Sequence, residues 1–193
     1  MKLVCVDLGY GNLGSVAIAF ERLGVAPEVS GDPEVLRAAD KLVLPGVGHA
    51  GFAMRQARAR GLDRLLAELP QPLLGICLGM QLMFEATEEE DTPGLALLSG
   101  RVRKLAPAPG RPVPHMGWSP LTVSADAFGL STGDHVYFAH SFACDDGPVT
   151  VASTAYGRPI PAVIHAGRLT GAQFHPERSG EAGARFLQGW LAA

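Results

Sequence analysis

The chain has 193 residues, of which 47% are hydrophobic and 18% charged, which is typical of one globular domain with a substantial core. A net charge of −3 argues against nucleic acid as a partner, and no stretch reaches the roughly 20 apolar residues that a membrane span needs. Three cysteines without metal-ligand spacing, and no secretory signal, favour a reducing cytoplasm and argue against a disulfide framework.

The first half of the chain alternates short apolar runs with segments of helical spacing, which predicts a parallel α/β sheet. Strands are predicted over 2–7, 27–30, 41–44 and 73–76, and helices over 13–20, 33–39, 52–60 and 62–69. Gly9, Gly11 and Gly14 have the spacing of a dinucleotide-binding loop, but no acidic residue closes the second strand. We therefore interpret Gly9-Tyr10-Gly11-Asn12 as an ordinary turn.

The second half is richer in proline and glycine, and its apolar runs are short. Strands are predicted over 102–105, 121–123, 136–142, 149–155, 162–165 and 169–174, and a closing amphipathic helix over 179–191. The closeness of these strands favours antiparallel or mixed pairing. The expected fold is therefore α/β, with a mostly parallel central sheet flanked by helices and additional short antiparallel strands in the C-terminal half.

The sequence around Cys77 predicts a nucleophile. Gly75-Ile76-Cys77-Leu78-Gly79 follows a buried strand and precedes a helix predicted over 80–84. This is the strand, G-x-C-x-G, helix pattern of a nucleophile elbow, with sulfur in place of a serine oxygen. The sharp turn needs small neighbours, and the N-terminus of the following helix favours a thiolate.

A cysteine nucleophile needs a base, and the base needs an orienting group. His175 follows a predicted strand directly, and Pro176 keeps it out of the helical conformation. If the chain stays extended, His175 and Glu177 face the same side, so that the carboxylate can hold the imidazole. The sequence therefore predicts a Cys77, His175, Glu177 triad.

The same reaction needs donors for the oxyanion. The backbone N–H of Leu78 is one candidate, and Gly46-Val47-Gly48, after the predicted 41–44 strand, is a loop whose glycines permit close backbone approach. Attack by the thiolate followed by protonation of an amine leaving group predicts hydrolysis of an amide.

These motifs resemble those of the class I, triad-type glutamine amidotransferases. The resemblance is carried by G-I-C-L-G-M-Q at 75–81, P-G-V-G at 45–48 and F-H-P-E at 174–177. Three further motifs, D-L-G-Y-G-N-L-G-S-V at 7–16, P-H-M-G-W at 114–118 and Y-F-A-H-S-F at 137–142, are similar to those of the amidotransferase subunits of imidazole glycerol phosphate synthases. The resemblance covers essentially the whole chain.

The resemblance implies hydrolysis of L-glutamine without a cofactor, and a heterodimer with a (βα)₈-barrel cyclase that uses the ammonia in histidine biosynthesis. By the resemblance, the residues that hold glutamine are Gly48, Gln81, Glu89, Ser141 and Phe142. Those near the cyclase are Asn12, Trp118 and Tyr137.

Three alternatives stay open at the level of sequence. The same glutaminase chemistry could serve an anthranilate or pyridoxal phosphate synthase, which P-H-M-G-W disfavours. A catalytically silent binding subunit is disfavoured by the intact Cys77, His175 and Glu177. A free-standing cysteine hydrolase predicts full turnover with no partner present.

Overall fold

A central eight-stranded sheet organises the computed structural model, which describes residues 1–9 and 11–193. Tyr10, in the predicted turn, lies outside the described residues. The strands are β1 (Leu3–Val6), β2 (Glu28–Ser30), β3 (Lys41–Gly46), β4 (Leu73–Cys77), β5 (Phe84–Thr87), β6 (Thr92–Pro93), β7 (Leu98–Lys104), β8 (His115–Pro120), β9 (Thr122–Val123), β10 (His135–His140), β11 (Phe142–Cys144), β12 (Thr150–Ala155), β13 (Pro159–Ala166) and β14 (Leu169–Ala172). The helices are α1 (Leu13–Glu21), α2 (Pro33–Arg37), α3 (Ala50–Ala59), α4 (Leu62–Glu68), α5 (Leu78–Gln81) and α6 (Gly180–Ala192), with 3₁₀ turns at Glu89–Asp91 and Pro176–Arg178.

The order of strands in this sheet is β2-β1-β3-β4-β14-β13-β12-β9. The first five are parallel, and β13, β12 and β9 add antiparallel pairs. The α/β class with a mostly parallel sheet is therefore confirmed. Strands β1 and β4 are buried at every position, which explains why each reads as a continuous apolar run.

Local signals set several helix boundaries as the sequence predicts. The Asp32 side chain accepts a hydrogen bond from the Glu34 N–H at 2.8 Å and so caps α2. Gly61, with φ of 67°, separates α3 from α4. In α6, Phe186 and Trp190 are buried against the sheet. No helix in the described part of the chain is long and apolar enough to cross a membrane.

Several elements of local structure differ from those that the sequence predicts. The helix after Cys77 is a single turn that ends at Gln81, and Phe84 begins a strand that pairs with β7. The predicted 136–142 strand is divided at Ser141, because β10 pairs with β8 while β11 pairs with β7 in another sheet. Strand β8 itself, which contains most of P-H-M-G-W, has no predicted counterpart, because its apolar content is low and only its pairing with β10 defines it.

Candidate active site

Cys77 lies at the end of β4 in a strained turn. Its φ of 52° and ψ of −109° are conformations that residues with a side chain rarely adopt. Small neighbours make the turn possible: a Cβ on Gly75 would lie 2.6 Å from the Met80 nitrogen, and one on Gly79 would lie 2.8 Å from the carbonyl carbon of Leu44. The glycines of G-x-C-x-G are thus required by backbone packing, and this packing holds the strained turn and its thiol in place.

His175 and Glu177 form a close pair beside this thiol. The Nδ1 atom of His175 and Oε1 of Glu177 are 2.8 Å apart, and the two side chains are only 10% and 5% exposed. The sequence expectation of an extended chain is wrong, because Pro176 begins a 3₁₀ turn, and this turn brings Glu177 under the imidazole. With Nδ1 engaged by Glu177, Nε2 is the nitrogen that remains for Cys77.

The electrostatics of His175 favour its protonated form. Burial lowers the pKa of the imidazole, but hydrogen bonds to Cys77 and Glu177, together with their charges, raise it, and the net pKa is about 10. A protonated imidazole in contact with the sulfur can give a proton to a leaving group. Since burial raises the pKa of both Cys5 and Cys144 to about 12, those two thiols are unreactive.

A second group contacts the sulfur from the end of the neighbouring strand, since Gln173 directly follows β14, which pairs with β4. The fully buried amide of Gln173 donates from Nε2 to Cys77 Sγ at 3.7 Å. Its Oε1 accepts from Gln81 Nε2 at 2.9 Å, and the same Gln81 nitrogen donates to the Phe142 carbonyl oxygen at 2.7 Å. Both N–H bonds of Gln81 are therefore used inside the protein, and its Oε1 is the polar atom left for a ligand.

A cavity of about 480 Å³ opens beside Cys77. The lining includes all three triad residues and the following predicted oxyanion, substrate and interface residues: Asn12, Val47, Gly48, Leu78, Gln81, Glu89, Tyr137, Ser141 and Phe142. Gly46 lies behind the cavity wall, paired in register with Cys77, and a Cβ there would lie 2.8 Å from the Leu78 Cβ. Trp118 is outside the cavity.

Glu89 differs from the rest of the acidic run 88–91. Its side chain is only 16% exposed, and Oε2 accepts from the Ala50 backbone N–H at 2.7 Å, at the start of α3. Glu90, by contrast, is 62% exposed. One carboxylate of the run is thus fixed at the cavity, while its neighbour stays in solvent.

The residues predicted to face a partner lie at one surface. Trp118 is 54% exposed, and its ring meets that of Tyr137 edge-on, with centroids 6.0 Å apart. The Arg178 guanidinium lies 5.7 Å from the Tyr137 ring centroid. Exposed Asn12 caps α1 by accepting from the Ser15 N–H.

Sequence reasoning missed three polar residues: His140, which lines the cavity, and Gln173 and His115, each hydrogen-bonded to a residue that does. The two histidines are buried, and their rings are linked, with His115 Nδ1 and His140 Nε2 3.1 Å apart. His115 lies in P-H-M-G-W and His140 in Y-F-A-H-S-F, two of the motifs that carry the family resemblance. A histidine on the buried face of an alternating strand was the sequence signal that could have identified them. Among the described residues, no group of His, Cys, Asp or Glu could hold a metal ion.

Comparison with known sequences gives consistent matches over the full length. A family model described as "Glutamine amidotransferase class-I" matches residues 4–192. Proteins named "Imidazole glycerol phosphate synthase subunit HisH" are 47% identical in Xylella fastidiosa (strain 9a5c) over 193 residues and 44% identical in Yersinia pseudotuberculosis over 197 residues. These alignments cover 98% and 99% of this chain, and 96% and 99% of the relatives.

Solved structures support the same fold. A structure titled as a glutamine amidotransferase matches with a TM-score of 0.79 at 21% identity, covering 100% of this chain and 98% of that chain. A glutamine amidotransferase from Thermotoga maritima matches with a TM-score of 0.67 at 17% identity, with coverages of 100% and 83%.

Proposed function

The chain belongs to the class I glutamine amidotransferase family, and we propose that it is the glutaminase subunit of an imidazole glycerol phosphate synthase. The observation that carries the proposal is the full-length similarity to HisH subunits, combined with a thiol, an imidazole and a carboxylate that line one cavity, the imidazole being hydrogen-bonded to the carboxylate. In this role the protein hydrolyses L-glutamine to glutamate and ammonia, without a cofactor.

The first half of the reaction forms a thioester. The Cys77 thiolate attacks the carboxamide carbon of glutamine, so that a C–S bond forms and the carbonyl oxygen takes up negative charge. His175 then gives its proton to the departing nitrogen, the C–N bond breaks, and ammonia leaves. Glu177 keeps the imidazole oriented and stabilises its positive charge.

The second half releases glutamate. Neutral His175 takes a proton from a water molecule, which attacks the thioester carbon. The C–S bond breaks, and the thiolate is restored as glutamate leaves. The Gln173 amide donates a hydrogen bond to the sulfur. This bond stabilises the thiolate both before it attacks glutamine and after glutamate is released.

The tetrahedral oxyanion is stabilised by backbone donors. The Leu78 N–H follows the nucleophile directly, and the second donor comes from Gly46-Val47-Gly48, which runs beside it. Gly46 is the rigid part of this loop, because its backbone packs on Leu78 and Gly79.

Glutamine is held by complementary polar groups around the cavity. The Glu89 carboxylate faces the α-ammonium group, and Gln81 accepts through its remaining Oε1. Gly48, Ser141 and Phe142 contribute mainly backbone groups. In this arrangement the carboxamide group of glutamine points toward Cys77.

The ammonia passes to a cyclase subunit built as a (βα)₈ barrel, which joins this chain in a heterodimer in the cytoplasm. The cyclase uses it on a phosphoribulosyl-formimino nucleotide to make imidazole glycerol phosphate and an aminoimidazole carboxamide ribotide. Exposed Trp118, with Tyr137 and Asn12, offers the aromatic and polar surface for that contact.

The test is Cys77→Ala, assayed in complex with the cyclase. Because Cys77 acts only in releasing ammonia, we expect glutamine-dependent synthesis to be abolished while synthesis from ammonium salts persists. Glutaminase activity remaining in the variant would refute the role of Cys77. Co-purification with an anthranilate or pyridoxal phosphate synthase, or full turnover without a partner, would refute the assignment to the cyclase.

A further inference from the structure

Two buried histidines, His115 on β8 and His140 on β10, have no role in the reaction just described. They are a register pair of the two-stranded sheet, and both point inward. His115 is stacked between Phe138 and Tyr156, with ring centroids 4.6 and 3.9 Å away. This packing fixes the plane of the His115 ring and therefore the direction of its two nitrogens.

The hydrogen bonds of this pair form an unbroken chain. Ser119 Oγ lies 2.9 Å from His115 Nε2, and His115 Nδ1 lies 3.1 Å from His140 Nε2. His140 Nδ1 lies 2.8 Å from the Phe142 carbonyl oxygen. The chain therefore runs from β8 to the backbone at the cavity.

The order of donors follows from its last member. A carbonyl oxygen only accepts, so His140 Nδ1 carries the hydrogen and donates to Phe142. Burial lowers the pKa of both His115 and His140 to about 4, so both rings are neutral near pH 7 and each carries one N–H. His140 Nε2 must then accept from the Nδ1–H of His115, whose own Nε2 accepts from the Ser119 hydroxyl.

The Phe142 carbonyl thus receives two hydrogen bonds, one from His140 and one from Gln81. Gln81 continues through Gln173 to the sulfur of Cys77. A carbonyl held from both sides fixes the orientation of the peptide plane, and Ser141 and Phe142 line the cavity at this point.

We propose that His115 and His140 are positioning residues for glutamine binding, which hold the Phe142 peptide through a donor order fixed from Ser119 to the carbonyl. This inference rests on the proposed function, because it takes glutamine as the ligand of the cavity. The histidines act through Phe142 and Gln81 and do not touch the reacting atoms.

Two substitutions of His140 separate this role from packing. In His140→Asn the amide nitrogen occupies the place of Nδ1 and can still donate to Phe142, whereas His140→Gln places its amide near Nε2 and loses that donor. In the complex with the cyclase, we expect His140→Gln to raise the KM for glutamine about 10-fold with kcat changed less than about 2-fold. We expect His140→Asn to keep a KM within about 2-fold of wild type.

A matched control is His135→Gln on the same strand, since His135 is exposed at the far end of β10 and its ring bonds locally, to the Gly133 carbonyl. We expect its KM and kcat to be unchanged. Equal KM values for the two His140 variants, in a wild-type complex that does hydrolyse glutamine, would overturn the positioning role alone. A wild-type complex that hydrolyses no glutamine would instead overturn the proposed function.

A measurement on the unmodified protein keeps the inference testable if the variants fold poorly. The ¹⁵N chemical shifts of imidazole nitrogens distinguish the two neutral tautomers and the imidazolium. At pH 7.5 we expect both His115 and His140 as neutral Nδ1–H tautomers. Either ring found as the Nε2–H tautomer or as an imidazolium would overturn the donor order and the proposal with it.

Discussion

Replacing Gly79 by alanine tests how tightly the elbow is packed. The added Cβ would lie 2.8 Å from the Leu44 carbonyl carbon and closer still to its oxygen, whereas ordinary van der Waals contact begins near 3.4 Å. Both sides of this contact are backbone, so β3 and α5 must separate. We expect a loss of about 3 kcal/mol in the free energy of unfolding, at the upper end of the cost of overpacking.

The separation also moves the catalytic groups. Since β3 leads into the loop proposed to bind the oxyanion and α5 begins at Leu78, we expect a shift of about 1 Å to displace the proposed backbone donors and lower turnover roughly 100-fold. For a chain of this size the stability loss lowers Tm by about 6–12 °C.

Chemical denaturation and a glutaminase assay with the cyclase measure the two effects, with Gly14→Ala as the control. A Cβ at Gly14, in the first turn of α1, meets no atom of the described residues within 4 Å, so that variant should be as stable as wild type or up to about 0.5 kcal/mol more stable. A Gly79→Ala protein with wild-type Tm and turnover would refute the reasoning.

Three further predictions follow from the charges and surface. The His175 pKa of about 10 lies above its usual 6.5, so the stability from this proton is complete below pH 6.5 and lost as pH rises to about 10. Between pH 6.5 and 10 the free energy of unfolding should fall more steeply in wild type than in His175→Asn. If denaturant titrations show the same dependence on pH in both proteins, the ion pair between His175 and Glu177 is contradicted. Glu89→Gln should raise the KM for glutamine about 10-fold with kcat nearly unchanged, while Glu90→Gln, in solvent, should not; steady-state kinetics showing the same KM for both would be the opposing result. Trp118→Ala should weaken binding to the cyclase more than 10-fold in calorimetry, against no change for Val29→Ala, an equally apolar exposed residue on the sheet edge, and equal affinities would remove Trp118 from the interface.

The parts of the fold that the sequence predicts correctly depend on local signals. Strands β1, β3 and β4 are apolar runs of five or so residues bounded by turns, and each is buried in the parallel sheet. The G-x-C-x-G pattern is likewise local, because the glycines on either side of Cys77 are needed within the same turn. Each of these features is determined by residues that lie within a few positions of one another in the sequence.

The errors occur where distant segments decide the structure. Strand β8 exists because β10 pairs with it, and β10 ends at His140 because β11 pairs with β7. The contact between Gln173 and Cys77 joins residues 96 positions apart, and only the adjacent placement of β14 and β4 creates it. Neither arrangement can be inferred from one segment alone, because each depends on which distant strand becomes its neighbour.

The loop proposed to bind the oxyanion, Gly46-Val47-Gly48, has one tightly packed and one unpacked glycine, and this limits where the loop can move. Gly46 is locked, because a Cβ there would lie 2.5 Å from the Gly79 nitrogen, whereas Gly48, with φ of 93°, has nothing within 4 Å of a Cβ position. Two residues later, the Ala50 N–H is held by Glu89. Any reorientation of the loop is therefore confined to the peptides around Val47 and Gly48, between two anchored ends. Since one anchor is the carboxylate proposed to bind the substrate ammonium, we expect glutamine binding to act directly on the segment proposed to donate to the oxyanion.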